Sequence, residues 1–135
     1  MSAGVVVLVC VLAALGVVLG LQAWARSRIA AQRGQHVPAL PGPLGEAMRG
    51  DVLLFFHSPS CGPCRGMHAH LQPLAASDPR VQIVDVTRDT EAARAFKIMA
   101  TPTVITVRGG LIEDTRIGAM PPGALDALLA TLSPR

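Results

Sequence analysis

From Gly4 to Trp24 the chain reads GVVVLVCVLAALGVVLGLQAW, 21 residues without a charge, and no other feature restricts its folding as much. At about 1.5 Å per residue a helix of that length covers roughly 31 Å, the depth of a bilayer's hydrocarbon. One membrane crossing through residues 4–24 is therefore expected. Trp24 falls where an interfacial aromatic belongs, and Arg26, Arg28 and Arg33 follow it. A cleaved signal peptide is the competing reading, because Ala23-Trp24-Ala25 offers a small-x-small cleavage site. The apolar run is longer than the usual signal core of about 7 to 15 residues, and no Lys or Arg precedes it, so residues 1–25 are expected to stay as an anchor. Cys10 lies inside the run behind Val9, without the small residue or basic start that lipoprotein acylation needs. It is expected to be a small apolar filler.

The formal charge is +3, from 12 basic and 9 acidic residues. Arg26, Arg28 and Arg33 supply the whole excess, and from Gln35 onward nine basic residues balance nine acidic ones. Basic residues directly after an apolar run are a membrane flank, so no nucleic-acid partner is expected. The positive-inside rule places the arginine-bearing side, and the domain with it, in the cytoplasm. Residues 26–42 then form a basic flank and a linker, with GQHVPALPGP at 34–43 rich in Gly and Pro and without periodicity.

Beyond the linker, a short helix LGEAMR precedes DVLLFFH (51–57), a continuous apolar run that fits a strand buried on both faces. Residues 65–76 place Met67, Leu71, Leu74 and Ala75 on one helical face, with Pro73 expected to bend the helix. VQIVDVT (81–87) supplies a second buried strand, making a βαβ unit. Asp89 or Thr90 can cap the next helix, TEAARAFKI. TVITVR and LIEDTRIG, joined by Gly109-Gly110, form a tight antiparallel hairpin, and PPGALDALLATL closes the chain as an amphipathic helix.

Cys61 and Cys64, in SCGPCR, stand where the first strand ends and a helix begins. Unpaired N–H groups at such a junction favour a thiolate. ATPT at 100–103 places Pro102 just before the hairpin strand. Through CGPC at 61–64, TPT at 101–103 and the β-α-β-α-β-β-α order, residues 43–135 resemble the thioredoxin family. The resemblance implies an α/β, thioredoxin-like three-layer sandwich with a central mixed sheet of about four strands behind the transmembrane helix. It also implies a thiol-disulfide oxidoreductase acting on protein disulfides without a cofactor or metal. Cys61 would be the nucleophile and Cys64 the resolving thiol. Gly62 and Pro63 would fix the active-site turn. A cis Thr101–Pro102 bond would lie beside Cys61, with the Thr101 backbone pairing to substrate. The thiols would be acidified from about 8.5 toward about 7, and the potential would lie nearer about −270 mV than about −120 mV. Electrons would come from a thioredoxin reductase or small thiols on the cytoplasmic side, or from a membrane thiol carrier outside. Membrane-tethered relatives that work outside the inner membrane keep the second location open.

The chain departs from the family pattern at four points. Ser60 stands where Trp usually precedes the first cysteine, Phe55 and Ile83 occupy the positions of a buried Asp and its Lys partner, and the family's first strand is missing. Loss of both charges together leaves no unpaired ion in the core. The proton acceptor for Cys64 then falls to water or to His57. Three alternatives accompany this reading. Cys61, Cys64 and His68, with His70 nearby, have a metal-like spacing but lack the second Cys/His cluster of a structural zinc site, and His68 and His70 are expected on solvated helix surface. A purely structural disulfide would close too small a loop to stabilise much. A redox-inactive binding module would explain the lost Trp and Asp, but not both cysteines and Pro102.

Overall fold

The computed structural model describes residues 1–134; Arg135, the last residue of the expected domain, lies outside them. The chain divides into a helical unit, residues 1–31, and a second unit that begins at Gln32. The apolar run forms one helix, α1 (Ala3–Ala31), with no buried residue. A helix apolar all round and not buried in protein has the composition of a membrane span. It continues past Trp24, and the Arg28 guanidinium lies 4.8 Å from the Trp24 ring, one turn earlier.

The second unit is organised on β1 (Val52–His57), whose first five residues are buried. β1 pairs in parallel with β2 (Val81–Asp85) and antiparallel with β3 (Thr103–Arg108), which pairs with β4 (Leu111–Ile117) in a sheet of order β2-β1-β3-β4. Parallel neighbours need a crossover, and α3 (Cys64–Ser77) supplies it, continuing past Pro73. β3 and β4 turn at Gly109 and Gly110, whose φ values of 57° and 83° are the left-handed pair that a two-residue hairpin turn demands.

Side chains alternate along β1, so the strand feeds two cores. Val52, Leu54 and Phe56 pack with Ala47 of α2 (Gly42–Ala47), Ala92 of α4 (Thr90–Ala95) and Phe96. The Phe56 and Phe96 rings meet in a tilted pair with centroids 5.4 Å apart. Leu53 and Phe55 point the other way, into Cys64, Met67 and Leu71 of α3 and Leu125 of α5 (Pro122–Ala130). The result is the expected three layers of helices, mixed sheet and helices. Each fully buried Phe of β1 contributes roughly 1.5–3 kcal/mol of transfer free energy, which anchors the strand in both cores. Of the two residues offered as the cap of α4, Asp89 does it, accepting from the Ala92 N–H at 3.0 Å.

Ahead of β1 lie α2 and an isolated bridge between His36 and Leu111, in agreement with the missing first strand. Part of the Gly/Pro-rich stretch is bound to the sheet: Gly34 N donates to Ile112 O, Ile112 N to Gln35 O, and Val37 N to Gly110 O, at 2.7 to 2.9 Å. Gln32, Arg33 and Asp114 extend the attachment, with an Arg33–Asp114 ion pair at 2.8 Å and Gln32 Oε1 accepting from the Thr115 hydroxyl.

Candidate functional site

A buried strand that ends in SPSCGPC forces the chain out of the sheet at His57 and into α3 within seven residues. Cys61 N donates to Ser58 O and Arg65 N to Gly62 O, so the turn is closed by its own backbone. Pro63 is the N-cap residue of α3, its fixed φ already close to helical. Cys61 and Cys64 are joined as a disulfide with Cα atoms 5.3 Å apart. Their exposures differ in the way the chemistry needs. Cys64 is 1% exposed and packed among Phe55, Met67 and Leu71, whereas Cys61 is half-buried at the edge of that core.

Beside the two sulfurs opens a cavity of about 390 Å³ whose lining includes His57, Cys61, Cys64, Arg65, His68 and Gln72. A hollow of about 470 Å³ between residues 36–42 and α2 contains neither cysteine. His57 reaches the cavity because it is two residues beyond Phe55 on the same face of β1. The rings of Phe55 and His57 stack at 5.4 Å, only 14° from parallel. His68, one turn along α3 from Cys64, meets His57 with ring centroids 4.7 Å apart. Asp85, the register partner of His57 on β2, lies on its other side. Burial holds the His57 imidazole below the usual histidine range; repulsion from a protonated His68 adds to this and the Asp85 carboxylate opposes it. Asp85 is held below the usual carboxylate range by the Thr87 hydroxyl and backbone N–H, at 2.6 and 2.9 Å.

The Thr101–Pro102 peptide bond is cis. Thr103 pairs with Phe56, so Pro102 stands at the end of the sheet from which the cysteine turn departs, outside the cavity's lining. Pro102 is buried and its carbonyl accepts from Gly118 N at 2.9 Å, while Thr101 is half-buried. Phe55 and Ile83, the positions of the expected lost acid and its partner, are neighbours across β1 and β2 and pack in the same core as Cys64. That core is apolar where the family pattern carries charge.

Two histidine expectations need correction. His68 is half-buried against His57, and His70 is half-buried with its Nε2 2.7 Å from Asp126 of α5. Neither is freely solvated, because α3 turns this face toward the end of β1 and toward α5. Sequence reading missed His68 and Asp85 as members of the site. The i, i+4 spacing of Cys64 and His68 was the available signal; Asp85 needed the strand register. Among the described residues no group of three or more His, Cys, Asp or Glu is arranged to hold a metal ion.

A half-buried thiol and a buried thiol, linked at the mouth of a shallow cavity where a central strand runs into a helix, define a dithiol–disulfide exchange protein. The family model for thioredoxin matches residues 46–131, and the chain belongs to the thioredoxin family. It is 30% identical over 87 residues to thioredoxin from Bacillus subtilis (strain 168), covering 62% of this chain and 84% of that protein. With thioredoxin from Alicyclobacillus acidocaldarius it shares 37% identity over 90 residues, 63% of this chain and 86% of the relative. Among solved structures it is similar to Fasciola hepatica thioredoxin, with a TM-score of 0.55 and 27% identity over 67% of this chain and 88% of that one. Membership makes the chain a thiol-disulfide oxidoreductase, of a family that acts on protein disulfides with thiol donors.

Proposed function

We propose that the protein is a membrane-tethered reductant of protein disulfides. α1 serves as a single-pass anchor through residues 4–24, residues 26–42 as a flank and a linker of which residues 32–37 are tied to the sheet, and residues 43–135 as the catalytic domain, on the cytoplasmic face by the positive-inside rule. Cys61 attacks a substrate disulfide and forms a mixed disulfide. Cys64 then loses its proton and attacks Cys61, closing the Cys61–Cys64 bond and releasing the reduced substrate thiol. Gly62 and Pro63 hold the two cysteines with Cα atoms 5.3 Å apart, within reach of an S–S bond, and the Thr101 backbone ahead of Pro102 pairs with the substrate chain. His57 accepts the proton of Cys64, replacing the acid that Phe55 displaces. A thioredoxin reductase, or a membrane thiol carrier if the domain faces the other side, returns the dithiol to its reduced state.

The observation that carries this reading is the unequal burial of Cys61 and Cys64 beside a cavity that His57 also lines. The Thr101–Pro102 bond at the same end of the sheet and the family's shared chemistry support it. Its test is dithiothreitol-driven insulin reduction by the full chain in detergent micelles. Turnover is expected, with complete loss in Cys61→Ser, and turnover that survives Cys61→Ser would refute the assignment. Reporters fused after Arg135 in intact cells decide the side: a signal from a reporter active only in the cytoplasm is expected, and the opposite signal moves the electron donor to the membrane carrier.

A further inference from the structure

His68 lies outside the roles assigned above, yet it touches the group given the central proton transfer. Its ring is 4.7 Å from that of His57, both line the cavity of the two cysteines, and His57 is fixed from below by its stack on Phe55. His57 is thus clamped between an apolar ring that gives it no proton partner and a second imidazole that competes for the same proton. The charged groups around it are few. β2 brings Asp85, itself bonded to Thr87 and 3.8 Å from Arg88; α3 brings His68 and Arg65; and Thr101, Pro102 and Thr103 ahead of β3 carry no ionisable side chain.

We propose that His68 is the positioning residue of the resolving step, coupled to His57 so that positive charge on His68 opposes a proton on His57 and His57 meets Cys64 as a free base. The proposal rests on the assignment of His57 as acceptor. In the mixed disulfide, the Cys64 thiol gives its proton to a His57 ring nitrogen. The Cys64 thiolate attacks the Cys61 sulfur and forms the intramolecular S–S bond. The bond from Cys61 to the substrate sulfur breaks, and its electron pair leaves with the substrate thiolate, so the cysteine pair loses two electrons and the substrate gains them. The proton on His57 then passes to that thiolate, driven off by the neighbouring cation when His68 is charged. Charges and atoms balance without a further reactant. Desolvation also favours a neutral His57, so His68 adds to a bias that burial begins.

The experiment is single-turnover release of thionitrobenzoate from a Cys61 mixed disulfide, in the full chain in micelles, from pH 5 to 9. In the unaltered protein the rate is expected to fall on the acid side through the protonation of His57. His68→Gln is expected to move that midpoint upward by about 0.5 to 1 on the pH scale, which slows release by up to about 3- to 10-fold on the acid limb well below the midpoint, with the alkaline plateau within about twofold. His68→Lys, which restores a positive charge, is expected to return the midpoint to the original value or below it. Equal slowing of His68→Gln at every pH, or an unmoved midpoint, overturns the coupling. His57→Phe separates the two ideas: persistence of the same acid limb in that variant defeats the assignment of His57 itself, whereas loss of the limb with no response to His68→Gln defeats the coupling alone. Circular dichroism of each variant identifies one that has not folded, and His68→Asn then replaces it.

Discussion

The two ends of β1 hold ionisable groups whose titrations are both displaced downward, for opposite reasons. Asp51, just before the strand, accepts hydrogen bonds from Ser133 N at 2.9 Å and Gly109 N at 3.1 Å and lies 3.5 Å from Arg108. Those donors, Ser133 first, stabilise its charged form and hold it below the ordinary carboxylate range against the opposing effect of burial. His57, at the far end, moves down because burial disfavours its charged form. One shift favours the charged form of its group, and the other favours the neutral form. The Asp51 end ties the β3–β4 turn and the C-terminal residues to the central strand, and the His57 end opens on the cavity beside the two cysteines.

The contrast can be broken at either end. The largest effect is expected from Cys64→Ser, which removes the proposed resolving thiol: turnover stops and a Cys61-linked mixed disulfide accumulates on non-reducing gels. Absence of the trapped species would mean that another thiol resolves. Asp51→Ala is expected to leave disulfide exchange per folded molecule intact but to cost about 1–3 kcal/mol in urea unfolding followed by circular dichroism, because two N–H groups lose their acceptor. Since the folded carboxyl titrates below its unfolded value of about 3.9, this stabilisation is present above that value and fades as pH falls through the folded one, so the variant and the parent should converge in acid. An undiminished gap in acid would show that charge plays no part.

At the other end the sign reverses. A histidine with a lowered folded value binds fewer protons folded than unfolded, so it weakens the fold as pH drops below about 6.5. His57→Phe is therefore expected to flatten the stability profile between neutral and mildly acidic pH, and an unchanged slope would remove His57 as its source. The smallest effect belongs to His70→Gln. Its partner Asp126 is more than half exposed, and the loss should stay within about 1 kcal/mol. A larger loss would mark the α3–α5 contact as a second structural anchor.

Much of the fold was legible because the sequence patterns agree with the tertiary context. The unbroken apolar run of β1 anticipated burial on both faces, and Gly109-Gly110 fixed the turn. The cysteine pair and Pro102 announced themselves by motif. Less was legible wherever a partner comes from distant sequence. His57 could be suggested as a base because it precedes the turn, but its stack on Phe55 and its neighbour Asp85 depend on the parallel register of β1 and β2. His68 looked solvated because α3 alone cannot show which strand end its polar face meets. Residues 34–37 looked like a tether because no periodicity marks three backbone bonds made to a hairpin some 75 residues later.

Those three bonds, with the Gln32 and Arg33 contacts before them, also decide where a mechanical load enters the domain. A pull on the chain from its N-terminal side meets the Gln32 and Arg33 contacts to Thr115 and Asp114 first, and then the bonds at Ile112 and Gly110 beside the tip of the hairpin. The opposite end of β4, where Gly118 holds the Pro102 carbonyl, is about 20 Å away along a seven-residue strand. Load from that side therefore falls on the edge strand β4 before it can reach the sulfurs beyond β1.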